Sequence, residues 1–272
     1  MSSTAALAQE HDILLRADRD GIATLTLNRP ASRNSLSLEM VAALHRALDA
    51  IASDRSVRAV IIAANGPGFC AGHDMKQMTA RRADADRGAA FFRELFDNCS
   101  AMMMAIVALP QPVIACVQGP ASAAGCQLVA TCDVAVASER GTFATPGVNI
   151  GLFCSTPMVA LSRNVASKHA MEMLLTGEAI SAGHAKEIGL VNRVVPAGRE
   201  YAESEALARL VASKSAHTVK IGKRAFYKQK ELDLAAAYRY TAEVMVENML
   251  ARDAEEGIGA FIEKRDPVWE DR

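Results

Sequence analysis

The chain has 272 residues, 50% of them apolar, which is enough to bury a full core as one large domain or as a domain with an appendage. Thirty basic residues stand against thirty-one acidic ones, so the formal charge of −1 offers no footprint for nucleic acid or an anionic membrane surface. Cys70, Cys99, Cys116, Cys126, Cys132 and Cys154 form no Cys-x-x-Cys pair and sit among small apolar neighbours, as buried free thiols of a reducing compartment do. The first dozen residues carry no basic segment, no long apolar segment and no Arg-rich pattern, so a cytoplasmic protein is expected. No apolar run approaches the roughly 18 residues of a membrane span.

Residues 12–17 and 22–27 read as a strand pair around the Asp20-Gly21 turn. Ser37 then caps a helix whose Leu38, Val41, Leu44, Leu48 and Ile51 recur on one face. Val57 to Ala63 is a continuous apolar run, the pattern of a strand covered on both sides, and its exit loop is residues 65–74. Arg81 to Gly88 reads as a polar, mobile surface loop. A long amphipathic helix follows over 88–108, with Phe92, Leu95, Phe96, Cys99, Met103 and Ile106 on its apolar side, ended by Pro110 and Pro112. Val113 to Val117 is a second buried strand, whose loop over 118–124 enters a short helix before the strand at 134–137. After about residue 156 the pattern is mainly helical, and the lysines between Lys214 and Lys230 read as solvated helix faces.

Two loops of small residues stand out. In Gly66-Pro67-Gly68-Phe69-Cys70-Ala71-Gly72-His73-Asp74, the spacing of Gly66, Gly68 and Ala71 meets the dinucleotide fingerprint, but no acidic residue ends a second strand some twenty residues later, so a nicotinamide or flavin site is set aside. The second loop is Gln118-Gly119-Pro120-Ala121-Ser122-Ala123-Ala124-Gly125-Cys126-Gln127. Small side chains let a ligand approach the main chain, and the amides at the start of the following helix favour developing negative charge. Two such amides make an oxyanion hole; the plainer reading is that Gly and Ala permit tight helix–strand packing.

Several ordered segments together carry a family resemblance: Ala71-Gly72-His73-Asp74-Met75-Lys76; Pro112-Val113-Ile114-Ala115 with Gly119 and Gly125-Cys126; Cys132-Asp133-Val134-Ala135-Val136-Ala137; and Phe143-Ala144-Thr145-Pro146. With Asn28-Arg29-Pro30 and Ala260-Phe261-Ile262-Glu263-Lys264-Arg265, the chain over residues 12–266 resembles the crotonase (enoyl-CoA hydratase/isomerase) family. The resemblance implies an α/β spiral of ββα units over residues 12–198, and a helical C-terminal region over 199–272 that assembles a homotrimer or a hexamer made of two trimers. It implies an acyl-CoA thioester as substrate, with coenzyme A entering as part of that substrate, no separate cofactor and no metal. The implied hole amides are those of His73 and Ala124, the latter where the family often has glycine; any residue but proline supplies the N–H. For the rest of the thioester the match points to Arg29, Arg33, Ala71, Gly72, Asp74, Lys76, Gly125 and Ser155, with Phe261 and Lys264 reaching a neighbouring subunit.

The chain departs from the family at the two catalytic glutamates of its hydratases, where Gln127 and Gly147 stand. Neither is a general acid or base, and such groups commonly contribute roughly 10²–10⁴-fold each. The segment Cys154-Ser155-Thr156, from which other members draw a carboxylate, has none. The reading is therefore a carbon–carbon or carbon–oxygen lyase with decarboxylase-like or other base-poor enolate chemistry, His73 contributing its ring to a carboxylate or only its main chain. The alternatives are a weak enoyl-CoA hydratase of fatty-acid metabolism, its water held by Gln127, and a protein that binds acyl-CoA without turnover. Restoring glutamate at 127 and 147 is expected to raise hydration if a hydratase scaffold is intact. A nucleophilic Cys154 or Ser155 is disfavoured, because no activating histidine motif accompanies either.

Overall fold

The computed structural model describes residues 12–272; the first eleven residues, on which the cytoplasmic expectation rests, lie outside it. The elements in order are β1 (Leu14–Arg19), β2 (Ile22–Leu27), α1 (Leu38–Ala52), β3 (Ala59–Ala64), α2 (Met75–Ala80), α3 (Ala89–Ala108), β4 (Val113–Val117), β5 (Ala121–Ser122), α4 (Ala124–Thr131), β6 (Val134–Ser138) and β7 (Thr142–Ala144). They continue with α5 (Ser155–Asn164), α6 (Ser167–Thr176), β8 (Ile180–Ser181), α7 (Ala182–Glu187), β9 (Arg193–Val195), α8 (Glu200–Ala212), α9 (Ala216–Gln229), α10 (Leu234–Met249) and α11 (Arg252–Glu263).

A six-stranded sheet runs β1-β2-β3-β4-β6-β9, antiparallel only between β1 and β2, and a small sheet runs β5-β7-β8. Between them the chain repeats one motion. β4 lies in the large sheet, β5 in the small one, and α4 follows; β6 lies in the large sheet, β7 in the small one, and helices follow. The earlier turns do the same with single residues, since Cys70 bridges to Ala121 and Leu36 to His73 in parallel before α2–α3 and after β2. Each ββα turn stacks on the last, which is the expected spiral.

The unbroken apolar strands are explained by cover on both faces. Val60 and Ile62 join the main core with α1, α3 and α4, whereas Ile61, Ala59, Ile114, Cys116 and Val136 face Leu207 and Ala208 of α8. Ser37 caps α1 through Met40 N, and Met40, Val41, Leu44, Leu48 and Ile51 are the buried face. In α3 the buried set is Phe91, Leu95, Cys99, Met102, Met103 and Ile106, so Phe92 and Phe96 are only half-buried and lie at the edge of the predicted stripe. Residues 81–88, read as a surface loop, form a built turn: Arg81–Ala83 is a 3₁₀ turn, and the Asp86 carboxylate accepts from Gly88 N and Ala90 N at the start of α3.

One lysine departs from the sequence reading. Lys223, taken for part of a solvated face, is buried, and its Nζ donates to Ile106 O and Gln111 O at 3.0 Å and to Asp133 Oδ2 at 2.7 Å. Asp133 also accepts from Val113 N and Tyr227 Oη, so one carboxylate ties α9 to the entry of β4. Burial pushes the Lys223 amine below its ordinary value although Asp133 opposes it, and pushes the Tyr227 phenol up.

Candidate active site

The two small-residue loops meet main chain to main chain. Ser122 N donates to Cys70 O at 2.9 Å, and Phe69 N and Cys70 N both donate to Pro120 O. A Cβ on Gly119 would stand 2.2 Å from Pro67 O, and one on Gly125 would stand 2.2 Å from Cys70 O. Packing and ligand approach, the two readings of these glycines, are thus one feature: close packing puts the amides of the two loops side by side.

His73 and Ala124 are brought together by this contact. A Cβ on Gly72, the residue before His73, would lie 3.2 Å from Ala124 N and 3.0 Å from Ser122 O, and Gly72 itself has φ +90°. Among the described residues, neither the His73 N–H nor the Ala124 N–H meets a main-chain carbonyl, and Ala124 opens α4, where first-turn amides have no helical partner. Ala123 sits at φ +49°, ψ −117°, a conformation its Cβ resists and which persists only where the surroundings impose it. They do so here through Ala123 N, which donates to Ala144 O of β7 at 2.9 Å, and through Ala123 O, which accepts from Gln127 N.

Residues not singled out in the sequence hold this arrangement. Asn34 is fully buried at φ +54°; its Nδ2 donates to Asn65 O and Gly68 O, and its Oδ1 accepts from Arg29 N. Gln118 Nε2 donates to Ala64 O, Gly66 O and the same Gly68 O. Two carboxamides from opposite sides therefore clamp the loop that leads to His73. Arg33 O accepts from Ala71 N, and Leu36 N donates to Gly72 O. The Asn28-Arg29-Pro30 match was the available signal, but Asn34 by itself reads as an ordinary turn residue.

Asp74 caps α2 through Lys76 N and Gln77 N, and its other oxygen accepts from Ser35 Oγ at 3.3 Å and lies 3.5 Å from Arg29 Nη2. Burial pushes its carboxyl up, but Gln77 N, Ser35, Arg29 and Lys76 N together bring it below the ordinary value. Arg29 and Asp74 thus partner each other, while Arg33 and Lys76 are exposed at the loop's rim.

The His73 ring lies edge-to-face on Phe96, centroids 5.4 Å apart, with Nδ1 at 3.3 Å from Leu36 O. A carbonyl only accepts, so Nδ1 carries the proton and the buried, unpartnered Nε2 carries the lone pair. Burial pushes the ring's pKa down, with the Leu36 bond opposing, so the imidazole is neutral. Of the two roles considered for His73, the ring is left with no donor to offer a carboxylate.

A pH effect follows. The folded pKa lies below the ordinary 6.5, so between the two values the unfolded chain binds a proton that the folded chain refuses. The stability His73 confers is expected to be full above 6.5, to fall as pH drops to the folded value, and to be flat below it. Urea unfolding at several pH values should show this slope in the native chain and lose it in His73→Gln; an identical slope in both would refute the assignment.

Gln127 is buried on α4, and its Oε1 has no hydrogen-bond partner. Gly147 is buried in the 3₁₀ turn Pro146–Ile150, where a Cβ would lie 2.8 Å from Leu152 O and 2.9 Å from Cys154 Sγ. Cys154 is buried and burial pushes its thiol up, while Cys70 and Cys126 are pushed up to about 12, so none of these thiols is a ready nucleophile. Ser155 is exposed at the start of α5, its Oγ donating to Phe153 O. Phe261 and Lys264 are exposed at the end of α11, which packs on α9 and α10, and form no part of the two-loop contact. The loop Asn65–Asp74 leads into the six-residue α2 and not into a dinucleotide-type crossover helix.

The family description "Enoyl-CoA hydratase/isomerase" matches residues 17–272. The chain is 49% identical over 250 residues to the human protein named enoyl-CoA hydratase domain-containing protein 3, mitochondrial, covering 92% of this chain and 81% of the relative. It is 32% identical over 260 residues to the 2,3-dehydroadipyl-CoA hydratase of Escherichia coli, covering 95% of this chain and 99% of the relative. A crystal structure of an enoyl-CoA hydratase from Mycobacterium smegmatis superposes with a TM-score of 0.90 at 50% identity, covering 95% of this chain and 99% of that one. The human domain-containing protein 3 superposes equally, at 0.90 and 47% identity, over 95% of this chain and all of that one. The expectation of a cytoplasmic protein does not stand, because the human, rat and mouse relatives are named as mitochondrial proteins. It rested on the composition of the opening residues, and where a sequence begins does not decide location.

Proposed function

This chain belongs to the enoyl-CoA hydratase/isomerase family, and we propose that it binds an acyl-CoA thioester with the thioester oxygen held by the His73 and Ala124 N–H groups. The observation that carries the reading is the pair of unpartnered amides on two interlocked loops, one of them turned by the strained Ala123. Donors fixed in advance of the reaction stabilise an enolate oxygen without reorganising, which is the largest single contribution such sites make. Coenzyme A enters as part of the substrate, its carrier end toward the rim formed by Arg29, Arg33, Ala71 and Lys76.

The bond broken is one that needs no protein base. Gln127 is neutral, Gly147 has no side chain, and the neutral His73 ring spends its proton on Leu36 O. Decarboxylation meets this condition, because departing CO₂ leaves the electron pair on the α-carbon and the hole receives the charge. Binding without turnover is the second reading, favoured by the same lack of a base. Weak hydration with water held by Gln127 is the least supported, since the second carboxylate position is closed. The apolar outer face of α10 and α11, with Tyr238, Met245, Leu250, Phe261 and Ile262 exposed, suits a trimer in which Phe261 and Lys264 reach a neighbour's site.

The test compares a thioester with its thioether analogue, which lacks the carbonyl, by calorimetry on the purified protein. The hole predicts tighter binding of the thioester; equal binding of both removes the reading. Restoring the glutamates is now expected to fail as a rescue. Gly147→Glu drives a Cβ against Leu152 O and Cys154 Sγ, overpacking that costs about 1–3 kcal/mol. Gln127→Glu with Gly147→Glu should therefore melt earlier than the native chain and hydrate a 2-enoyl thioester no faster. A stable double variant with rising hydration would show that the turn accommodates the side chain after all.

A further inference from the structure

A second cluster of ligand-bearing side chains lies apart from the two loops. A cavity of about 110 Å³ where α6, β8 and α7 meet is lined by His169, Glu172, Glu178 and His184 over the buried Met173. Among the described residues, none of 65–74 or 118–127 borders it. The two histidine rings meet edge to face, with centroids 5.9 Å apart and planes at 79°. That spacing is what one shared ion requires. A nitrogen-bound Zn²⁺ sits about 2 Å from each ligand atom, so each ring centre stands about 3 Å from it, and bond angles between tetrahedral and trigonal put the two centres roughly 5–6 Å apart.

His184 is already turned for this task. Its Nδ1 lies 3.0 Å from Oε2 of Glu187, three residues on in the same helix. A carboxylate only accepts, so the neutral ring keeps its proton on Nδ1 and presents its lone pair on Nε2. A carboxylate behind a ligating imidazole both fixes the ring and makes it the better donor. On α6, Glu172 follows His169 by three residues, shares its face and borders the same cavity.

We propose that His169 and His184 hold a divalent transition-metal ion of the imidazole-preferring kind, represented by Zn²⁺, with Glu172 as third ligand and water as the fourth. Among the described residues no three such side chains converge on one point as they stand. The two rings therefore carry the affinity, and the exposed Glu172 joins them by rotating its side chain. A hard ion such as Ca²⁺, which takes six to eight oxygen ligands, is poorly served by this set. The ion clips α7 to α6. In turn α6 ends against the 3₁₀ turn that holds Gly147, where a Cβ on Gly177 would stand 3.0 Å from Val148 Cγ2 and from Asn149 Nδ2. The family resemblance implies no metal in the thioester reaction, and this ion takes no part in it: it braces the frame on which that turn rests.

The test titrates ZnCl₂ by calorimetry into the full chain, free of any histidine tag and stripped with EDTA. One saturable site is expected in the native chain. Glu172→Gln and Glu187→Ala should each weaken it by roughly 10-fold, and His169→Asn and His184→Asn by more. His45→Asn is the control, an ordinary surface pair with Asp49 on α1 at 3.9 Å, and should leave the site as it was. Zinc should raise the melting temperature of the native chain and of His45→Asn but not of His169→Asn, since an ion that binds only the folded state stabilises it. The proposal is overturned if the native chain takes up no zinc, or if both the His169 and the His184 variants bind it as the native chain does. It is also overturned if Ca²⁺ at the same concentration displaces the zinc, which would make the site one of carboxylates alone.

Discussion

Gly125→Ala is expected to lower kcat/KM on a thioester substrate by roughly 10²–10³-fold, the size seen when one oxyanion donor is lost, and to weaken thioester binding with it. The added Cβ would stand 2.2 Å from Cys70 O and 2.8 Å from Cys70 C and Cβ. Cys70 has nowhere to retreat: it is fully buried, its carbonyl accepts from Ser122 N, and its own N–H donates to Pro120 O. The strain must pass along the loop, and His73 is three residues on. A displacement of about 1 Å at a reacting centre is enough for a 10²-fold loss. Gly222→Ala in α9 is the control, since a Cβ there meets nothing within 4 Å. Calorimetry and turnover on both variants decide the matter: native binding by Gly125→Ala would mean that the interlock does not set the amides.

Asp133→Ala, at the entry to β6, is expected to destabilise the chain by about 3–5 kcal/mol, or a fall in melting temperature on the order of 10 °C. The Lys223 and Asp133 side chains are 7% and 15% exposed, and removing the acid leaves a buried ammonium with two carbonyls and no counter-charge. It also strands Tyr227 Oη and Val113 N, both of which Asp133 satisfies. Replacing both partners by apolar residues, Asp133→Leu with Lys223→Met, should recover part of the loss, because a paired buried charge and an apolar pair of similar volume are nearly equivalent. Chemical unfolding of the three variants tests this, and an Asp133→Ala chain within about 1 kcal/mol of the native one would show that Lys223 finds water instead.

What the sequence disclosed and what it hid divide along contact distance. The Ser37 cap and the helical face from Val41 to Ile51 are local, so periodicity revealed them. The strands at β3 and β4 were legible as apolar runs, but not the element covering their second face, because Leu207 and Ala208 lie more than ninety residues later. At the site, the small-residue loops and the family match exposed His73 and Ala124. Asn34 was missed and Gln118 was quoted only as the start of a small-residue loop, since an amide in a turn looks ordinary until its carbonyl partners are seen in space. Lys223 was misread for the same reason: its carboxylate is 90 residues away. Gly147 was read as a missing side chain, whereas the structure shows a turn with no room for one.

The interlocked loops also bear on how such a protein changes its trade. The grip on the carbonyl is made of peptide groups held by glycine-to-carbonyl packing, so it is indifferent to which side chains line the rest of the chamber. Gln127 can be exchanged like a bit in a fixed chuck, altering the bond that breaks while the same kind of ester is clamped, whereas the turn at Gly147 admits no side chain. Redesign toward another reaction should therefore begin on the α4 face that carries Gln127 and leave Gly119, Gly125 and Gly147 alone.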